Sequence, residues 1–223
     1  MLNQLLQAYK GLMIDSTDPA LIKQVMAEIE QRRTAPGFSE VLGSGASAPN
    51  PNLHLESEGA GKSLGDLLAD GPVLLKFYRG SWCPFCTLEL KAYERIAPQL
   101  KRLGVRLIGI SSESPERIKL TRQFDCPSFE IVHDANNDIA RAFGLTYEAG
   151  PAERALFEHH GATEHLGDPA NPLTMAMPAV YLIEPDGRVS YASVSPDPTT
   201  RAEPGDLVER IRAARNTEIA AHT

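Results

Sequence analysis

This chain of 223 residues has no cationic excess: Lys and Arg number 22 against 29 Asp and Glu, giving a formal charge of -7 and a pI near 5.4. Nucleic-acid and anionic-membrane surfaces need a positive footprint, so neither is expected as a partner. Long apolar runs are missing as well. None reaches the roughly 18–20 residues that span a bilayer. The opening MLNQLLQAYKGLMIDS lacks both the basic start and the unbroken apolar core of a secretory signal. Cysteine is scarce, with three residues, too few for a disulfide framework and better read as chemistry or filler in a reducing compartment. No segment repeats. What is present, 42% hydrophobic and 23% charged residues, is the composition of a globular protein. A soluble, acidic, cytoplasmic protein is the expectation.

The patterning divides the chain. Leu2, Leu5, Leu6 and Tyr9 recur at helical spacing, and Asp18-Pro19 opens a second helix with a cap and a proline at its first position. Leu21, Ile22, Val25, Met26 and Ile29 form one apolar stripe on it. That stripe must be buried, either on the main domain or on a second subunit. A linker, GSGASAPNPN over 43–52, marks the boundary. The expected organisation is a helical extension with the start of the linker over 1–42, a main domain over 43–215, and a tail over 216–223.

From residue 53 strand and helix patterns alternate. Val73–Tyr78 reads as a strand buried on both faces, and Phe85 to Leu103 as a helix of about five turns. Val105–Ser111 is a further strand, followed by a helix opened by Ser114-Pro115-Glu116. Such βαβ order predicts an α/β domain with parallel strands. A short strand over Phe129–Val132 and a helix over Asn136–Phe143 come next. Residues 145–174 break the rhythm and read as a partly helical insert. Ala179–Glu184 and Arg188–Ser193 pair across Pro185-Asp186-Gly187, and Glu203–Arg215 closes the domain as a helix.

The chemistry concentrates at Trp82-Cys83-Pro84-Phe85-Cys86, where the first long strand passes into the first long helix. Cys83 falls at the helix N-cap and Pro84 at its first position, so unpaired N–H groups and the positive end of the dipole favour a thiolate. Cys86, one turn on, stands where it can attack a mixed disulfide or sulfenic acid at Cys83. Trp82 and Phe85 flank the pair. Arg79 either stabilises the thiolate and polarises a bound oxygen or is a solvated loop charge. Lys76, inside an apolar strand, either tunes the dithiol as a half-buried amine or lies at a sheet edge with its stem along the sheet.

Other readings compete. Zinc needs four ligands, and the candidates beyond the dithiol (Cys126, His133, His159, His160, His165) form no second pair at finger spacing. No metal is expected. Two inert buried cysteines are the bland alternative, and Cys126 alone reads as a buried filler. Pro178, just before a strand, marks a second site element if its peptide bond is cis; a trans proline that merely starts the strand is the plainer reading.

These motifs resemble the thioredoxin fold, and more narrowly a peroxiredoxin-like branch of the alkyl hydroperoxide reductase/thiol-specific antioxidant family. The resemblance covers about residues 40–212. It rests on Ala48-Pro49, Gly61-Lys62-Ser63-Leu64, Phe77 through Cys86, Gly109-Ile110-Ser111, His133-Asp134, Ala140 through Gly144 and Pro178 through Gly187. It implies a central mixed sheet flanked by helices and a thiol redox enzyme without metal or organic cofactor. The enzyme is commonly dimeric, so a homodimer is among the expected assemblies. It reduces hydroperoxides at the expense of a thioredoxin-like or other thiol donor.

Two departures accompany the resemblance. The family's threonine, three residues before its peroxidatic cysteine, corresponds to Cys83, and that cysteine to Cys86. Pro178 stands where the family has an arginine before a late strand. The Trp-Cys-x-x-Cys turn and the pre-strand proline resemble thioredoxin instead. Helix-end electrostatics choose Cys83 as attacker and the family alignment chooses Cys86, so both are expected catalytic residues. Trp82, Arg79, Pro178 and Lys76 are expected to bind or activate the substrate. Arg201 is a further candidate for the missing cation. The expected activity is hydroperoxide reduction through a Cys83–Cys86 disulfide; the alternative is thiol–disulfide exchange on protein or small disulfides. A redox-sensing or binding module is a third reading.

Overall fold

The computed structural model describes residues 1–221 except 56, 58, 60, 127 and 163–172, with side chains described up to 216. Two helices, α1 (Leu2–Asp15) and α2 (Pro19–Thr34), precede a 3-10 helix at Pro36–Glu40. Asp18 caps α2 by accepting the Ala20 N–H at 2.8 Å, as the Asp-Pro signal predicts. Beyond the linker lie β1 (Asn52–Leu53), β2 (Lys62–Ser63), α3 (Leu64–Leu68) and β3 (Val73–Phe77). Then follow α4 (Pro84–Arg102), β4 (Arg106–Ser111), α5 (Pro115–Phe124), β5 (Glu130–His133) and α6 (Asp138–Ala142). The remainder is β6 (Thr146–Glu148), α7 (Pro151–His159), β7 (Thr174–Ala176), β8 (Ala179–Ile183), β9 (Val189–Val194) and α8 (Pro204–Ala221). Helix α8 runs past the expected end at 215.

The central sheet has the order β5-β4-β3-β8-β9. Strand β3 is parallel to β4, which is parallel to β5, whereas β8 is antiparallel to both β3 and β9. This is the mixed sheet of a thioredoxin-like fold. Every residue of β3 and β8 is buried, as a strand covered on both faces requires. One core joins Leu74, Val180 and Leu182 to Leu90, Tyr93 and Leu100 of α4 and to Leu207 and Ile211 of α8. The other lies across the sheet, where Leu75, Phe77, Ile108 and Tyr181 meet Leu64, Leu67 and Phe143. The insert is more ordered than a loop: β6 and β7 form an antiparallel ribbon with α7 between them. Its residues 163–172, with the zinc candidate His165, lie outside the described residues.

The extension folds onto its own chain. Leu2 and Leu6 of α1 enter the α4 core, and the Tyr9 ring meets Phe85 edge-on with centroids 5.3 Å apart. Val25 and Ile29 of α2 pack against Ala152 and Leu156 of α7. The stripe is thus buried within the chain, and the packing removes the extension as an argument for a dimer. Glu28 ties the two helices together, its carboxylate accepting the Ala152 and Glu153 N–H groups at 2.9 Å each. Those amides are unpaired donors of the first turn of α7, where negative charge is favoured. Arg32 reinforces the contact by pairing with the buried Glu153.

Glu28→Ala should therefore lower stability by about 1–2 kcal/mol, the usual cost of a lost helix cap. Urea unfolding reads the loss. Amide exchange at residues 152 and 153 should accelerate, and unchanged protection there would refute the cap.

Candidate functional site

The dithiol turn is built where the buried β3 meets α4. Gly80 follows Arg79 with φ 156°, and a Cβ there would collide with the Trp82 indole. Only glycine lets the chain double back so tightly. Glu113, just beyond β4, fixes the turn: its carboxylate accepts the Ser81 N–H at 2.9 Å and the Ser81 hydroxyl at 2.6 Å. Sequence reading missed this buried anchor, for which Ser-Ser-Glu-Ser after a strand is only a faint signal. Cys83 is then the N-cap of α4 and Pro84 its first residue, as predicted.

The two sulfurs meet. Cys83 and Cys86 lie 3.2 Å apart, both thiols free and in hydrogen-bond contact. Arg79 Nη2 donates to Cys83 Sγ at 3.2 Å. Arg79 is 6% exposed as a residue; its guanidinium stands over Trp82 and Phe157 with 5.2 and 5.4 Å to the ring centroids, and leaves Nε and Nη1 without a hydrogen-bond partner. The solvated-loop reading of Arg79 is thereby corrected, because the rings exclude water from it.

Burial alone would raise the Cys83 thiol. The Cys86 hydrogen bond and the charges of Arg79 and Arg201 outweigh it, holding Cys83 well below the ordinary thiol range. Cys86 goes the other way, pushed up by burial and by its hydrogen bond and repulsion with Cys83. The pair is therefore polarised, with the charge on Cys83 and the proton on Cys86.

Beneath Cys86 lies a buried ion cluster that sequence reading caught only in part. Glu89 Oε2 accepts Lys76 Nζ at 2.9 Å and Arg201 Nε at 2.6 Å, and Arg201 Nη2 reaches Cys86 Sγ at 3.7 Å. Lys76 is fully buried, and β3 sits between β4 and β8; both the edge reading and the half-buried reading are corrected. Its amine is pushed down chiefly by burial, with Glu89 opposing. Glu89 had a readable signal: a carboxylate on the otherwise apolar stripe of α4, three residues after Cys86. Arg201, a weak candidate in the sequence, arrives on the loop before α8.

Pro178 immediately precedes β8 and lines a small cavity with Glu89 and Arg201. No cis peptide bond occurs among the described residues, so the cis reading of Pro178 is corrected to trans. Cys126 lies in the same core as the pair, fully buried, its thiol on the Thr121 carbonyl at 3.7 Å and pushed up to about 12, mainly by burial.

Comparison with known proteins places this geometry. The AhpC/TSA family matches residues 44–192, two thirds of the chain. This chain belongs to the AhpC/TSA family. Peroxiredoxin Bcp of Escherichia coli is 26% identical over 105 residues, covering 43% of this chain and 67% of its own length. A peroxiredoxin of Thermoplasma volcanium is 32% identical over 105 residues, covering 39% of this chain and 51% of its own. Among solved structures, peroxidoxin BcpB of Mycobacterium tuberculosis aligns with a TM-score of 0.56 at 22% identity, over 77% of this chain and 97% of that one. Reduced Prx3 of Vibrio vulnificus aligns at 0.59 and 17% identity, over 77% and 99%. At such identities the structures speak for the fold. Family membership makes the chain a thiol-dependent peroxidase by class. The matched segment begins after α1 and α2, so the helices that cover the dithiol lie outside it.

Alkylation by iodoacetamide should label Cys83 with a half-maximal pH well below the value of about 8.5 for a free thiol. Arg79→Met should move that midpoint upward by about one unit, equivalent to about 1.4 kcal/mol. The sign follows from removing a cation that favours the thiolate. A midpoint unmoved by the substitution would dismiss Arg79 as the stabilising charge.

Proposed function

We propose that Cys83 attacks a hydroperoxide, that Arg79 holds the peroxide oxygen, and that Cys86 resolves the product as a Cys83–Cys86 disulfide. The observation that carries this reading is the Arg79 guanidinium, bonded to Cys83 Sγ at 3.2 Å while its other buried N–H groups lack an acceptor. An oxygen that accepts from those groups lies beside the sulfur, where proximity favours attack. As the S–O bond forms, the O–O bond breaks. The departing oxygen takes up a proton and leaves as an alcohol or water, and Cys83 becomes a sulfenic acid.

Resolution follows from the same charges. Oxidation removes the anion from Cys83, and with it the hydrogen bond and repulsion that add to burial in keeping Cys86 protonated. Arg201, held by Glu89, then favours the Cys86 thiolate. Its sulfur displaces the Cys83 hydroxyl; the S–S bond forms and water leaves with that hydroxyl and the proton of Cys86. An external dithiol of the thioredoxin type returns both thiols and is itself oxidised to a disulfide. Three free thiols in an acidic chain support a reducing, cytoplasmic setting. Among the described residues no helix is long and apolar enough to cross a membrane.

Thiol–disulfide exchange is a second reading, favoured by the contacting Cys-x-x-Cys pair and by the absence of the family's threonine. One assay separates them: peroxide consumption with a thioredoxin system beside reduction of a protein disulfide. Cys83→Ser should abolish peroxide turnover. Cys86→Ser should complete a single turnover and leave a dimedone-reactive sulfenic acid on Cys83. In Arg201→Met that acid should persist about tenfold longer, the effect of about one pKa unit on Cys86. Turnover surviving in Cys83→Ser would transfer the attack to Cys86. Disulfide reduction with peroxide turnover no faster than a free thiol would leave the second reading.

A further inference from the structure

Two cavities meet at Arg79. One, of about 160 Å³, is lined largely by apolar side chains, among them Met13, Ile22, Val25 and Phe157. The other, of about 400 Å³, is more polar, with Glu113, Ser114, Thr174 and Met175 beside Arg79 and Trp82. A peroxide that enters meets the unpartnered Nε and Nη1 of the guanidinium next to Cys83. Its O–O bond then breaks, and the departing oxygen is left as an anion unless a proton reaches it. Hydroxide and alkoxide are poor leaving groups, so the source of that proton bears on the rate.

Several hydrogens around the dithiol are committed elsewhere. The Ser81 hydroxyl donates to Glu113 at 2.6 Å, and the Cys86 thiol is hydrogen-bonded to Cys83. The Lys76 amine donates to the Phe77 carbonyl at 2.8 Å beside its pairing with Glu89. Arg79 itself does not give up a proton. Tyr147 of β6 differs. Its hydroxyl donates to Met175 Sδ at 3.8 Å, and a thioether is a weak acceptor. The β6–β7 register pairs these two residues directly. Tyr147 also packs against the cluster of Phe157 and Met175 that Trp82 joins, and the Trp82 and Phe157 rings are those that confine Arg79. After Cys83, Tyr147 is the ionisable neighbour that acts most on Arg79, and Arg79 is the cation that acts most on the phenol. Arg32 stands over the Tyr147 ring, its guanidinium carbon 3.6 Å from the centroid. A phenolate here faces two cations. Burial pushes the phenol up, with Arg79 and Arg32 opposing and Glu153 adding to the rise, so the proton is present at neutral pH.

We infer that the Tyr147 hydroxyl is the general acid of peroxide reduction, delivering its proton to the oxygen that departs when Cys83 attacks. The inference rests on the peroxidase reading and names the proton source within it. The Cys83 thiolate takes one peroxide oxygen together with its hydrogen as the S–O bond forms. The O–O bond breaks and its electron pair goes to the second oxygen, which accepts the Tyr147 proton and leaves as water or an alcohol. Met175 lines the polar cavity, so an oxygen arriving there offers Tyr147 a better acceptor than the sulfur. The phenolate, held between Arg79 and Arg32, then recovers a proton from solvent.

The test uses reagents that differ in their need for a proton. Hydrogen peroxide must expel hydroxide, whereas peroxyacetic acid expels acetate and iodoacetamide expels iodide, anions stable without one. Trp82, the single tryptophan, adjoins Cys83, so its fluorescence follows the reaction in stopped flow. Tyr147→Phe keeps the ring under Arg32 and removes only the hydroxyl. It should slow oxidation by hydrogen peroxide about a hundredfold, the lower end of what a positioned acid usually contributes. Its rates with peroxyacetic acid and iodoacetamide should stay within about twofold of wild type, since neither step calls on an acid. Equal loss with all three reagents would overturn the inference, because the hydroxyl would then act through Arg79 or the fold. A folded variant that keeps its hydrogen peroxide rate would overturn it as well. If Tyr147→Phe does not fold, the wild-type protein decides. Its preference for peroxyacetic acid over hydrogen peroxide should be about tenfold or more below that of a free thiolate, since an acid assists the poorer leaving group. An equal preference overturns the inference. A wild type oxidised by hydrogen peroxide no faster than a free thiol removes the peroxidase reading and this inference with it. A reactive wild type matched by its variant removes the inference alone.

Discussion

The contact between the Arg79 guanidinium and the Cys83 sulfur is the interaction on which the site depends. A buried thiol is ordinarily protonated and inert, and Cys83 is buried. Its thiolate is favoured because a charge sits beside it in surroundings that screen little; at an effective dielectric near 20, opposite charges 4 Å apart attract by about 4 kcal/mol. The Cys86 hydrogen bond, the charge of Arg201 and the helix end act in the same direction, and together they outweigh the burial of the sulfur. The surrounding architecture keeps the contact in place. Gly80 lets the turn close, Glu113 anchors Ser81, and the Trp82 and Phe157 rings confine the guanidinium.

The second cation has a different function. Arg201 reaches Cys86 only because Glu89 holds it, and Glu89 is itself balanced by Lys76. An isolated charge in this core would be costly, and removing one member of such a group usually costs several kcal/mol. The cluster gives each sulfur its own cation while keeping the interior near neutrality. It also lies on the Cys86 side of the pair, where Arg201 opposes the burial and the Cys83 charge that keep that thiol protonated.

The extension alters what the family fold offers. In the matched segment the dithiol turn ends a strand at the rim of the sheet, where an open site would be expected. Here α1 and α2 lie over it and lean on α7, with Glu28 joining the two layers. The result is an apolar enclosure at one side of Arg79 and a polar one at the other.

Much of this was legible in the residues. Alternating strand and helix patterns, the Asp18-Pro19 cap and the all-apolar run through β3 follow from local periodicity and capping, which act over a few neighbours. The position of Cys83 at a helix start with Cys86 one turn on is likewise local, and it carried the thiol chemistry. The charges were not legible in the same way. Whether Arg79 was solvated, Lys76 at an edge, or Arg201 near the site depended on which elements pack against them. Pro178 shows the limit plainly: its neighbours in the chain left both peptide geometries open, and the structure has it trans. Local sequence determined the elements and the reactive pair because short-range sterics and hydrogen bonding suffice for them. Tertiary packing decided which sulfur is ionised, which cations reach it and what encloses it, because burial and charge proximity arise only when distant segments meet.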